Sequence, residues 1–82
     1  MGSFQVTNEP WGYVVEAHWL DEDGVYRWHP LRSFGDRQGD ALDFCHHDCP
    51  SYEPAVIKTL IGRYDWKDKY VRLDGKHFYK QH

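Results

Sequence analysis

The sequence predicts a small α+β domain, an antiparallel sheet built from two hairpins in the order ββααββ with two helices on one face. Three observations predict it. Aromatic and β-branched residues alternate with period two over residues 11–20 and 25–31, and again over 69–79 around an Asp-Gly pair. Between these stretches the apolar spacing changes to that of helices. The chain has 82 residues, which is room for one core, so residues 1–82 read as a single domain.

The first strand is Trp11 to Leu20, where Trp11, Tyr13, Val15, Ala17 and Trp19 alternate with Gly12, Val14, Glu16, His18 and Leu20. Asp21-Glu22-Asp23-Gly24 reads as a turn, and the chain returns from Val25 to Leu31 with Tyr26, Trp28 and Pro30 on one face. A four-residue loop, or a two-residue loop of Asp23-Gly24 alone, puts Ala17 and Trp19 on the side of Tyr26 and Trp28, which becomes the core face. The longer loop is preferred because it sets Glu16 opposite His29 and Leu20 opposite Val25. Phe4-Gln5-Val6-Thr7 reads as a short extra N-terminal strand, ended by Asn8-Glu9-Pro10.

Past Ser33 the period changes. A helix from about Asp36 to Asp48 places Ala41, Leu42, Phe44, Cys45 and Cys49 on one side, with Gly39 weakening its first turn and Pro50 at or beyond its end. Ser51 is a good cap for a second helix, with Pro54 tolerated in its first turn. Val56, Ile57, Leu60, Ile61 and Tyr64 form its apolar stripe. The last hairpin turns at Asp74-Gly75, in a register that pairs Val71 with Phe78 and Tyr70 with Tyr79.

A chain this short buries only roughly 60–65% of its extended-chain surface and needs large side chains, metals or bridges to hold its core. Aromatic residues supply 17% of this one, so rings are the expected anchor. Two cysteines are too few for a disulfide framework, and no apolar run resembles a signal or a membrane helix. A cytoplasmic protein without a membrane partner is the resulting expectation. Net charge is −3, but unevenly spread. Residues 1–57 hold ten acids against three bases, and residues 58–82 hold seven bases against three acids. Such asymmetry marks either an interaction surface or two halves that neutralise one another across the fold.

The segment Cys45-His46-His47-Asp48-Cys49 holds zinc-ligand types. Its spacing does not recur, so the missing ligands would have to be His18, His29 or His77; two buried core thiols are the favoured reading, with a zinc-stabilised domain as an alternative. A Cys45–Cys49 disulfide would require Cys49 to have left the helix before Pro50. Neighbouring Asp43 and Asp48 disfavour a thiolate, which argues against a nucleophilic cysteine. Asp21, Glu22 and Asp23 lack the spacing of a calcium loop, and no glycine-rich phosphate cradle is present. No cofactor is implied.

The C-terminal stretch interleaves cations with rings: Trp66, Lys69, Tyr70, Arg72, Lys76, His77 and Tyr79. Single-strand nucleic-acid binders use that combination, but the chain is acidic overall. The expectation is therefore a non-catalytic protein-binding module, a small inhibitor or adaptor of the kind encoded by phages and mobile elements, contacting a protein partner through these residues. Asp21, Glu22 and Asp23 form the rival acidic surface, and a single-stranded nucleic acid or phosphate is the alternative ligand of the basic hairpin.

Overall fold

The computed structural model describes residues 3–10 and 12–63, together with the backbone of residues 70–72 and 78–80. It shows an antiparallel sheet and helices, an α+β fold. Strands β1 (Phe4–Glu9), β2 (Gly12–Leu20) and β3 (Tyr26–Gly35) are followed by α1 (Gln38–Asp43), a π-helical segment (Phe44–Asp48), α2 (Cys49–Ser51) and α3 (Pro54–Arg63). Strands β4 (Tyr70–Arg72) and β5 (Phe78–Lys80) come last, and the sheet order is β1-β2-β3-β4-β5. Asp74, Gly75 and Tyr64, which the sequence assigned to a turn and a helix stripe, lie outside the described residues.

The first hairpin corrects the expected parity. Leu20 pairs with Tyr26, His18 with Trp28 and Ala17 with His29, so the loop is the five residues Asp21–Val25 rather than two or four. The loop closes on itself: the Asp21 N–H donates to the Val25 carbonyl at 2.8 Å, and the Gly24 N–H to the Asp21 carbonyl at 3.0 Å. A one-residue change of register sends every side chain to the other face. Tyr26, Trp28 and Pro30 therefore share the face of Leu20, His18 and Glu16, and His29 joins Ala17 and Trp19 on the core side. Glu16 stands opposite Pro30, not His29.

Two bulges then correct the strand from within. Between the pairs Glu16–Pro30 and Val15–Arg32, Leu31 has no partner, and between Val14–Ser33 and Tyr13–Gly35, Phe34 has none. Both unpaired residues are buried in the core. A bulge inserts one residue and re-aims the strand, and here it supplies two of the larger core side chains. Gly12, at a φ of 118°, allows the close approach at this end: a Cβ there would lie 2.6 Å from the Gly35 backbone.

The helical stretch Gln38–Ser51 is one run with a widened middle. With about 100° per residue in a regular helix, Asp48 would project within about 40° of Phe44 and beside Ala41, in the buried stripe. The π turn, closed by the Cys49 N–H on the Phe44 carbonyl, rotates each residue less, leaving Asp48 exposed and Cys49 wholly buried. Pro50 sits inside the final turn, where the widened ladder needs no N–H from it. Leu42, expected in the stripe, is 38% exposed. Ser51 does not cap the second helix: its hydroxyl donates back to the Asp48 carbonyl at 2.6 Å. Glu53 is the capping residue, its carbonyl accepting from Val56 at 2.9 Å and Ile57 at 3.3 Å, with Pro54 in the first helical position.

The core cluster joins Val15, Ala17, Leu31 and Phe34 from the strands to Ala41, Phe44, Cys45, Cys49 and Ile57 from the helices. Trp19, Leu60 and Ile61 pack against it half-buried. Trp28, expected as a core anchor beside Trp19, is not part of it. The rings that do anchor it are Phe34 and Phe44, with centroids 5.5 Å apart and the Arg32 guanidinium 4.7 Å from the Phe34 centroid. The second hairpin likewise departs by one residue from its expected register, pairing Val71 with Tyr79 and Arg72 with Phe78. Among the described residues the pair Trp28–Arg72 joins it to the first.

Candidate functional site

The thiols are placed first by their surroundings. Cys45 and Cys49 are free and buried, and burial raises both pKa values, that of Cys49 to about 12 with added repulsion from Cys45 and Asp48. They are therefore protonated at neutral pH and poorly nucleophilic. Cys49 retains helical backbone angles, so the condition for a bridge to Cys45 is not met. Of the further zinc donors considered, His29 is bonded to Asp21, His18 is stacked on Trp28, and His77 lies outside the described residues. Among the described residues no group of three or more His, Cys, Asp or Glu is placed to hold a metal ion.

The acidic turn is built into the fold instead of standing free. Asp21 is 13% exposed; one carboxylate oxygen takes the Arg27 guanidinium and the other meets His29 Nε2 at 2.5 Å. The same guanidinium nitrogen reaches both Asp23 oxygens at 3.0 Å, and the Val25 N–H donates to Asp23 at 3.3 Å. The bond from Arg27 lowers the Asp23 pKa, and Arg27 is raised in return. Burial lowers the His29 pKa against the opposing pull of Asp21. A buried His–Asp pair is half of a general-base arrangement, but no hydroxyl or thiol is bonded to His29 among the described residues. Its geometry is that of a brace that ties strand β3 to the loop. Glu22 is left exposed at the tip.

On the other face of the same hairpin, cross-strand pairs form a ladder. His18 stacks on Trp28 with centroids 4.9 Å apart and 26° between planes, and lies 5.2 Å from the Tyr26 ring. Leu20 stands directly opposite Tyr26. Burial falls along this ladder from Glu16 and Pro30, which are covered, to Leu20 and Tyr26, which are 50% and 53% exposed. Val25 adds a further exposed apolar group in the loop. Among the described residues the tip therefore combines three exposed apolar side chains with three carboxylates, against which Arg27 is the one guanidinium. These are the ingredients from which a binding surface can be made: apolar area to bury, rings of low rotamer entropy and a negative field.

Among the residues singled out from the sequence, Asp21, Glu22 and Asp23 are brought together at this tip, with Asp21 turned to structural use. Tyr70, Arg72 and Tyr79 occupy strands β4 and β5, and Arg72 is paired with Trp28. Trp66, Lys69, Lys76 and His77 lie outside the described residues. Sequence reasoning set Leu20 on the outer face but missed Tyr26 as surface, and missed Arg27 and His29 as partners of Asp21. The available signal was parity, and it depended on a loop length that pattern alone left open between even values.

No family model matches the chain, and comparison with the curated proteins and with the solved structures found no match. Among the described residues no helix is long and apolar enough to cross a membrane.

Proposed function

We propose that the chain is a non-catalytic protein-binding module, a small inhibitor or adaptor, and that its working face begins at the tip of the first hairpin. The observation that supports this reading is the juxtaposition of half-exposed Leu20 and Tyr26, with Val25, beside the acidic loop. Exposed aromatic and aliphatic groups beside charge are what protein interfaces use as anchors and steering groups. The reading takes the whole chain as ββααββ with an extra N-terminal strand and both helices on one face. The second hairpin then continues the binding face through the Trp28–Arg72 pair. The sequence around these strands carries the bases Lys69, Arg72 and Lys76, of opposite sign to the acidic tip.

The test is capture of partners from source-cell lysate with four forms of the chain, each with and without nuclease. Expected is a nuclease-resistant protein that is retained by the parent chain, lost with Leu20→Ser combined with Tyr26→Ser, and weakened by Glu22→Gln. Asp21 is excluded from the variants because its loss would unbrace the loop. A nuclease-sensitive partner, lost on reversal of Lys69, Arg72 and Lys76 to Glu and indifferent to the Leu20/Tyr26 change, would replace this reading with single-strand nucleic-acid binding by the C-terminal hairpin.

A further inference from the structure

Strand β1 lies at one end of the sheet order and, among the described residues, is paired on one side only, by β2. The orientation of its backbone follows from one bond. The His18 N–H donates to the Ser3 carbonyl at 2.8 Å, so Ser3 and His18 form a hydrogen-bonded pair of the antiparallel ladder. Period two then directs the N–H and C=O groups of Gln5, Thr7 and Glu9 towards β2. Those of Phe4, Val6 and Asn8 point away from the sheet. An edge of this kind is a template for another strand, and proteins blunt it with lysine, proline, a bulge or a covering segment. Phe4–Glu9 contains no lysine and no proline, its pairing with β2 runs over all six residues without a register shift, and Glu9 is its one charge.

From this edge we infer that two copies of the chain associate through β1, antiparallel about a two-fold axis at Val6. Outward-facing residues must meet outward-facing residues in such a pairing. Centring it on Val6 sets Val6 against Val6 of the second copy and Phe4 against Asn8 of the second copy, in both directions. All three outward N–H groups of each copy then find a carbonyl. The single charge, Glu9, falls opposite Ser3 of the second copy, so self-pairing brings no like charges together. Phe4 and Val6 pack against the core cluster, and the apolar layer over one sheet thus continues into the other. An isologous contact of this kind closes at two copies, because each copy uses its β1 edge once.

Sedimentation equilibrium and amide hydrogen exchange of the whole chain test this together, over concentrations from about 1 µM to about 1 mM. Expected is a monomer–dimer equilibrium in which the amides of Phe4, Val6 and Asn8 gain protection as concentration rises. Those of Gln5, Thr7 and Glu9 are protected throughout. Asn8→Pro removes an outward N–H while leaving every bond to β2, and should weaken dimerisation about tenfold or more with its other strand amides unchanged. A chain that stays monomeric to the top of this range overturns the inference, as does a dimer indifferent to Asn8→Pro. Protection of Phe4, Val6 and Asn8 at all concentrations in a monomer would also overturn it, by showing that another segment of the chain covers the edge.

Discussion

Glu16 offers the sharpest test of how the sheet is covered on the face away from the core cluster. Its side chain is fully buried, stands opposite Pro30 and accepts a 2.8 Å hydrogen bond from Gln5 Nε2. Burial disfavours its charge and pushes its pKa from 4.5 to about 7, with the Gln5 bond acting in the opposite sense. At about 1.36 kcal/mol per pH unit, that difference is worth roughly 3 kcal/mol. The sign follows from proton binding. Between 4.5 and about 7 the folded chain holds a proton that the unfolded chain has released, so stability is full below 4.5 and is lost as pH rises to about 7. His29 works the other way: its lowered pKa means the unfolded chain takes up a proton first on acidification, so its contribution is lost as pH falls below 6.5. The informative quantity is therefore the difference between the parent chain and Glu16→Gln, which keeps the shape and removes the titration. Urea unfolding of both between about pH 4 and pH 8 should show the parent losing roughly 3 kcal/mol relative to the variant. For a chain of this size that is about 12–24 °C in Tm. Two curves that stay parallel across this range would refute the reasoning, because Glu16 would then titrate like an exposed carboxylate and its face would be open to water.

Three further outcomes are expected. Ile57→Ala, which empties a fully buried site, should cost about 2–5 kcal/mol in chemical unfolding, Leu60→Ala less because Leu60 is half-buried, and exposed Lys58→Ala no more than about 0.5 kcal/mol. Gly12→Ala should lower stability by more than about 1 kcal/mol, since it combines a φ of 118° with backbone atoms at 2.6 Å, whereas Gly39→Ala, with open space around it in α1, should raise Tm slightly, by up to about 1 kcal/mol of stability. Cys45 and Cys49 should react with a thiol-specific reagent at neutral pH only at the rate of unfolding, and a chelator should leave Tm unchanged; rapid labelling of the native chain, or chelator-induced unfolding, would contradict the burial described here.

Helix positions were legible in part. In α3, Ile57, Leu60 and Ile61 lie where their spacing puts them, but Val56, expected in the same stripe, is 40% exposed at its edge. Cys49 reaches the core by a route the pattern does not contain, because a π turn changes the angle per residue without leaving a mark in composition. Leu42 lies in α1, ahead of the π turn and about 100° round from Ala41, and is 38% exposed. The exposure of Tyr26 was hidden for a different reason. It looks like core on hydrophobicity, and only its pairing with Leu20 shows that it lies on the outer face.

What the sequence determined by itself were local quantities: the period-two and helical stretches, the class of fold they imply, the turns at Asp21–Gly24 and before Pro54, and the burial of two thiols. Each depends on neighbours within a few residues, where sterics and hydrophobic period act directly. The tertiary structure decided the rest through register. Arg27 and His29 reach Asp21 across a loop of five residues, in a register that turns Trp28 and Tyr26 out of the core. Leu31 and Phe34 fill the space those rings leave, by bulging out of the ladder. Side chains in a strand alternate with a period of two, so one residue of loop length, set by side chains that are distant in the pattern, exchanges core for surface along the whole hairpin.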